Sequence, residues 1–174
     1  CAITAAMSLG TGLSEYAQNY SDRFFDVGIA EEHAVVFASG LSKGGMVPFF
    51  VVYSTFLQRC YDQLIHDAAL QKQKMILAID RAGFVGEDGE THQGIFDVAF
   101  LTHIPNMTVF SPSSYTQLKE CLTKAVCDCN GPVAVRYPRG GIEKVDIATK
   151  QFDGFEVLEN ENAKTVILTY GRLF

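Results

Sequence analysis

The sequence predicts an α/β domain: a doubly wound, mostly parallel sheet with helices on both faces. Two observations carry that expectation. From Phe24 onward, short β-branched or aromatic runs alternate with segments of helical period, the pattern of βαβ units. The runs are also near-continuously apolar instead of alternating, as expected of strands covered on both faces. A length of 174 residues suits one domain, and 48% apolar against 20% charged residues suits a packed core and excludes long disorder or a collagen-like repeat.

The chain opens at Cys1 in a small-residue pattern that reads as helical. Residues 24–27 are the first expected strand, and Ala34, Phe37, Ala38 and Leu41 then recur at i, i+3, i+4, i+7 as the buried face of a helix. Residues 48–53 form the second strand. Leu57, Tyr61, Leu64, Ile65 and Ala68 mark the helix after it, on which His66 and Asp67 read as a satisfied surface pair. Strands at 75–80, 107–110 and 132–137 follow, and Leu118, Leu122, Ala125 and Val126 mark the last helix. After Arg139-Gly140-Gly141 the sequence turns polar and weakly patterned. Residues 1–141 are therefore expected to be one domain, 142–164 a linker, and 165–174 the first strand of a truncated C-terminal domain. The start at Cys1 and the stop just after an apolar run suggest a piece of a longer protein.

Fourteen Lys and Arg against twenty Asp and Glu give a net charge of −6 with no dense basic run, so nucleic acid is not an expected partner. The longest apolar run, Met46 to Tyr53, is strand-sized and carries a proline, which argues against a membrane span. Five cysteines with no secretory signal before them suit a soluble protein of the reducing cytoplasm. Cys121, Cys127 and Cys129 lack a fourth ligand at useful spacing, so buried or incidental thiols are expected and no metal site.

In such sheets ligands bind beyond the carboxyl ends of the strands, and four groups project there. Glu31, Glu32 and His33 stand where a strand gives way to a helix; capping accounts for one carboxylate, while the second acid and the imidazole exceed what a cap requires. Ser54 reads as an N-cap with Phe56 and Arg59 at i and i+3 behind it, a ring and a cation able to stack a flat heterocycle and bind an anion, although the segment taken alone favours a core Phe beside a surface Arg. The loop 81–94 is long for a βα connection and holds Arg81, Asp88 and His92 among four glycines. Its pattern is not that of an EF-hand calcium loop. Arg139, in RYPRG, can grip a phosphate or carboxylate.

The runs DVGIAEEH (26–33), YSTFLQRCYDQLIHD (53–67), DRAGFVGEDGETHQGIFD (80–97) and RYPRG (136–140) resemble the 1-deoxy-D-xylulose-5-phosphate synthases, a branch of the thiamine-diphosphate-dependent transketolase family. GEDGETHQ is shared in variant form across transketolase-like enzymes, whereas YSTFLQR with DRAG points to the synthases. The resemblance implies a transketolase pyrimidine-binding domain, the middle one of three, in a transferase that condenses pyruvate with glyceraldehyde 3-phosphate and releases carbon dioxide on the route to isoprenoid and thiamine precursors. It implies a homodimer whose chain also carries an N-terminal domain binding magnesium and the diphosphate, and a C-terminal domain. The piece alone is then expected to be inactive. By resemblance Glu31 bonds the pyrimidine N1′, Phe56 stacks on the ring, and Tyr53, Arg59, Arg81, Asp88, His92 and Arg139 line the acceptor pocket, with the arginines toward phosphate and His92 in proton transfer. Glu32 stands where the family commonly has Gln, which leaves open which carboxylate is the catalytic one. A transketolase or the β subunit of a 2-oxo-acid dehydrogenase would share Glu31 and the fold but differ around Arg59 and Arg81, so the acceptor substrate discriminates. A non-catalytic dimerisation or regulatory module is the reading from another class.

Overall fold

A computed structural model describes residues 1–141, 150–152, 155–157 and 161–171. Its centre is a six-stranded sheet of β1 (Ala2–Thr4), β2 (Phe24–Asp26), β3 (Phe49–Tyr53), β4 (Ile76–Asp80), β5 (Thr108–Phe110) and β6 (Val133–Arg136) in the order β2-β1-β3-β4-β6-β5. Every pairing in it is parallel. The five strands expected from apolar runs are all present. The sixth, β1, corrects the helical reading of the chain's start: Ala2 pairs with Phe24 on one side and with Phe49 on the other. Three residues carry too little pattern to reveal a strand, and the partners that make it one are more than twenty residues away.

The helices are α1 (Ser14–Asn19), α2 (Glu31–Lys43), α3 (Ser54–Leu57), α4 (Tyr61–Gln63), α5 (Asp97–Leu101) and α6 (Tyr115–Cys127). A 3-10 turn (Gln58–Cys60) joins α3 to α4, and a π-helical stretch (Leu64–Ala69) extends α4, so the single helix expected here is a composite. Within that stretch the Ser39 hydroxyl donates to the Asp67 carbonyl at 2.6 Å, a side-chain insertion of the kind that loosens a helical ladder. His66 pairs with Asp62 one turn earlier, at 2.9 Å, and not with Asp67.

Strand side chains alternate across the sheet, and the core divides accordingly. Leu77 and Ile79 join Ile3, Phe50 and Val52 beneath α2, α5 and the 54–69 segment. Ile76 joins Val133 and Val135 beneath Ala125, Leu118 and Leu122 of α6. Both faces are thus covered, as the continuous apolar runs require. The chain passes from β1 outward to β2 and returns across β1 to β3, so the winding reverses beside β1, and the crevice beyond the carboxyl ends of β1 and β3 is where such sheets bind ligands.

Within the segment expected to be a linker, β7 (Lys150–Phe152) and β8 (Phe155–Val157) form an antiparallel pair; residues 142–149, 153–154 and 158–160 lie outside the described residues. Residues 165–170, expected as a strand, pair with no strand among the described residues, and Val166, Ile167 and Leu168 are exposed. A strand needs a neighbour for its backbone groups, and the described residues supply none.

One ion pair ties the far side of the sheet together. Arg136 Nε and Nη2 donate to the two oxygens of Asp97 at 2.8 and 3.1 Å, and Nη2 also reaches the Gly94 carbonyl at 3.5 Å. Asp97 is fully buried, so truncating it strands a buried guanidinium. Asp97→Ala is expected to cost about 3–5 kcal/mol in urea unfolding of the chain; a loss below about 1 kcal/mol contradicts this account of the pair.

Candidate active site

The site begins where β2 ends. Asp26 Oδ1 accepts hydrogen bonds from the Ala6 and Gly28 backbone N–H groups at 2.8 and 3.0 Å, joining the loops after β1 and β2 so that α2 starts at Glu31. Glu31 is 2% exposed whereas Glu32 is exposed, which separates the two carboxylates the sequence left open. A signal was present: Glu31 lies in phase with Ala34, Val35 and Ala38, the buried stripe of α2. Arg59 Nη1 donates to Glu31 Oε1 at 2.8 Å, and Oε2 takes no hydrogen bond among the described residues.

Beside this pair stand the rings. The Arg59 guanidinium carbon lies 4.7 Å from the Phe56 ring centre. Tyr53 stacks on Phe56 at 5.9 Å and 20°, and His92 meets Phe56 edge-on at 5.3 Å. The Arg81 guanidinium covers the Tyr53 ring at 3.7 Å. Across the reversal point, a Cβ on Gly10 would fall 1.7 Å from the Tyr53 hydroxyl oxygen, so only glycine lets the loop after β1 come this close.

Loop 81–94 is pinned along its length. Arg81 has φ +60°, a left-handed conformation unusual for a side-chain-bearing residue, at the point where β4 turns away. Gly83 and Gly94 exchange backbone hydrogen bonds at 2.7 and 2.8 Å and close the loop. Inside it the Gln93 amide accepts from Val85 N–H and donates to the Val85 and Gly89 carbonyls. Asp88 Oδ2 accepts from Arg81 Nε and Oδ1 from Arg139 Nη1, both at 2.8 Å; Arg139 also pairs with Glu87 at 2.9 Å. Arg81 further bonds the Gly10 carbonyl at 3.0 Å and Asp80 at 3.2 Å. His92 Nδ1 lies 2.9 Å from the Thr91 hydroxyl, which orients the ring and leaves Nε2 as its other polar atom.

Burial disfavours charge throughout this region. Desolvation raises the Asp80 carboxyl above its ordinary value against the lowering effect of Arg81. It raises the Tyr53 phenol in the same way, with Arg81 again opposing, and pushes the Tyr137 phenol and the Cys60 thiol far up.

All eight residues expected from the sequence therefore join one network: Glu31, Arg59, Phe56, Tyr53, Arg81, Asp88 and Arg139 in succession, with His92 against Phe56. Their partners within the chain are these. Arg59 faces an acid, and Asp88 spends both oxygens on arginines. Ser54 is not an N-cap: Tyr53 holds that position, and the Ser54 hydroxyl is buried without a partner. Gly10, Gln93, Asp97 and Arg136 were missed. Gln93 lay inside the quoted loop, and Arg136 could have been noticed as a charge closing an apolar strand. The arrangement offers a buried carboxylate oxygen beside an aromatic face, suited to a flat nitrogen heterocycle, and next to it a guanidinium pair suited to an anion. Among the described residues no group of three or more His, Cys, Asp or Glu gathers as a metal site.

Residues 1–144 match the family described as transketolase, pyrimidine binding domain. A 1-deoxy-D-xylulose-5-phosphate synthase of Symbiobacterium thermophilum is 61% identical over 147 residues, 84% of this chain and 22% of that protein. One of Clostridium perfringens is 50% identical over 99% of this chain and 28% of its own length. The chain thus spans about a quarter of these relatives. Among solved structures, a split-gene transketolase in an inactive beta4 tetramer is 31% identical, with a TM-score of 0.69 over 84% of this chain and 47% of that one.

Two measurements test the geometry. A Cβ on Gly94 would lie 2.1 Å from the Arg81 carbonyl oxygen, so Gly94→Ala is expected to cost about 1–3 kcal/mol by overpacking and to speed amide exchange at Gly83; unchanged exchange contradicts the closure. Because the Asp80 carboxyl is raised in the folded state, its contribution to stability is fully present below pH 3.8 and is lost as pH rises through the folded value. Unfolding measured against pH should show that decline, and Asp80→Asn should remove it.

Proposed function

The chain belongs to the transketolase pyrimidine-binding domain family, and on that premise we propose that it forms the aminopyrimidine and acceptor half of a 1-deoxy-D-xylulose-5-phosphate synthase active site. The substrates are pyruvate and glyceraldehyde 3-phosphate, and the cofactor is thiamine diphosphate. Higher identity to the synthases than to the split-gene transketolase supports this choice. The observation that carries the site is Glu31: a carboxylate 2% exposed, with Oε2 unbonded among the described residues, in a network that includes Phe56.

When bound, the cofactor supplies the carbanion chemistry that an amino-acid side chain cannot. The chain supplies proton handling and placement. Glu31 Oε2, on a carboxylate 2% exposed, would hold a proton toward the pyrimidine N1′, where burial strengthens a charge-assisted hydrogen bond. Phe56 would hold the pyrimidine by stacking. His92 Nε2 exchanges a proton with the acceptor carbonyl oxygen, since Nδ1 is taken by Thr91. Arg81 and Arg139, aligned by Asp88, grip the acceptor phosphate, and Tyr53 borders it. Magnesium and the diphosphate are assigned to parts of the enzyme outside this chain. We assign the enzyme to the cytoplasm as a homodimer; all five cysteines are unpaired, and no helix among the described residues is long and apolar enough to cross a membrane.

The test is a chimaera in which this chain replaces the matching segment of the Clostridium perfringens synthase. It should form 1-deoxy-D-xylulose 5-phosphate from the two substrates; a folded, cofactor-loaded chimaera that instead transfers two-carbon units between sugars makes the chain part of a transketolase. In it, Glu31→Gln is expected to lower kcat by at least about a hundredfold, whereas Glu32→Gln stays within a few fold.

A further inference from the structure

Arg59 is tied to the acid. Its Nη1 donates to Glu31 Oε1 at 2.8 Å, and its guanidinium lies over Phe56. Local geometry produces this. Phe56 is in α3 and Arg59 in the 3-10 turn that follows, and in such a turn side chains three residues apart eclipse, which places the cation over the ring. The other two arginines of the site share Asp88 with each other, whereas Arg59 pairs with Glu31. Among the described residues Arg59 is the one side chain paired with Glu31. Removing it leaves a carboxylate 2% exposed without a counter-charge, free to turn its oxygens toward any water it can reach.

We propose that Arg59 is a positioning residue for Glu31: by holding Oε1 it presents Oε2 to the pyrimidine, and by lying over Phe56 it sets the acid and the stacking ring in one piece. This rests on the reading of Glu31 as the acid that bonds the cofactor. It assigns Arg59 to cofactor placement instead of to the acceptor phosphate, and the two roles move different observables.

The experiment uses the chimaera with Arg59→Met, Arg59→Lys and Glu31→Gln. Thiamine diphosphate affinity is measured by calorimetry, with kcat and the KM for glyceraldehyde 3-phosphate taken separately. Arg59→Met is expected to weaken thiamine diphosphate binding and lower kcat, each by about tenfold, the scale of one charge-assisted hydrogen bond, with acceptor KM changed less than twofold. Arg59→Lys, which keeps one charged donor, should recover most of both losses. A rise of tenfold or more in acceptor KM with cofactor affinity unchanged makes Arg59 a phosphate-binding residue and overturns the proposal. If Glu31→Gln leaves kcat and cofactor affinity intact, the reading of Glu31 fails and this inference fails with it. If Glu31→Gln collapses activity while Arg59→Met affects only acceptor KM, the inference alone falls. Arg59→Lys keeps the test decisive should the Met variant not fold.

Discussion

All six strands of the main sheet run the same way, so their last residues, Thr4, Asp26, Tyr53, Asp80, Phe110 and Arg136, lie along one edge. The site depends on that constraint. Residues one or two positions earlier, such as Val52 and Ile79, are wholly buried core, where an unpaired charge is costly. At the edge, polar groups find partners in the loops. Asp26 binds two loop N–H groups, Arg81 follows Asp80 into the long loop, and Arg136 takes Asp97. The winding reverses beside β1, the position at which such sheets bind ligands, and the Asp26 and Arg81 contacts lie on the strands and loops around it.

The charges there are arranged in advance of any ligand. Arg81 and Arg139 are held by one shared carboxylate, Asp88, and Arg59 by Glu31. An anion entering between the first two meets donors already oriented, so less ordering remains to be done on binding. Their present acid partners compete with it, which favours a ligand of greater charge density than a carboxylate, such as a phosphate dianion. Gln93 and the Gly83–Gly94 closure hold the loop that carries Asp88 and His92, and Arg136 extends that support to the sheet through the Gly94 carbonyl.

Much of this was legible from residue order. Five strands and the apolar faces of three helices followed from periodicity, which is a local property of sequence. What escaped had non-local causes. β1 is a strand because β2 and β3 flank it, not because Ala2-Ile3-Thr4 insists on it. The 54–69 helix is broken into 3-10, α and π portions while its neighbour Ser39 claims the Asp67 carbonyl. Part of the polar stretch beyond Gly141 pairs as β7 and β8, a local hairpin its weak pattern did not announce.

For the site the division is sharper. By itself the sequence determined the parallel α/β class and picked out eight candidate residues at the carboxyl ends of the strands and in the loops after them, because strand ends and loop motifs are fixed by residue order and by resemblance. Tertiary structure decided who faces whom. It buried Glu31 and exposed Glu32, turned Arg59 to the acid and gave Asp88 to two arginines, since those choices depend on which helix face meets the sheet and which loops converge. Burial and pairing are properties of several segments at once, and no single stretch of sequence contains them.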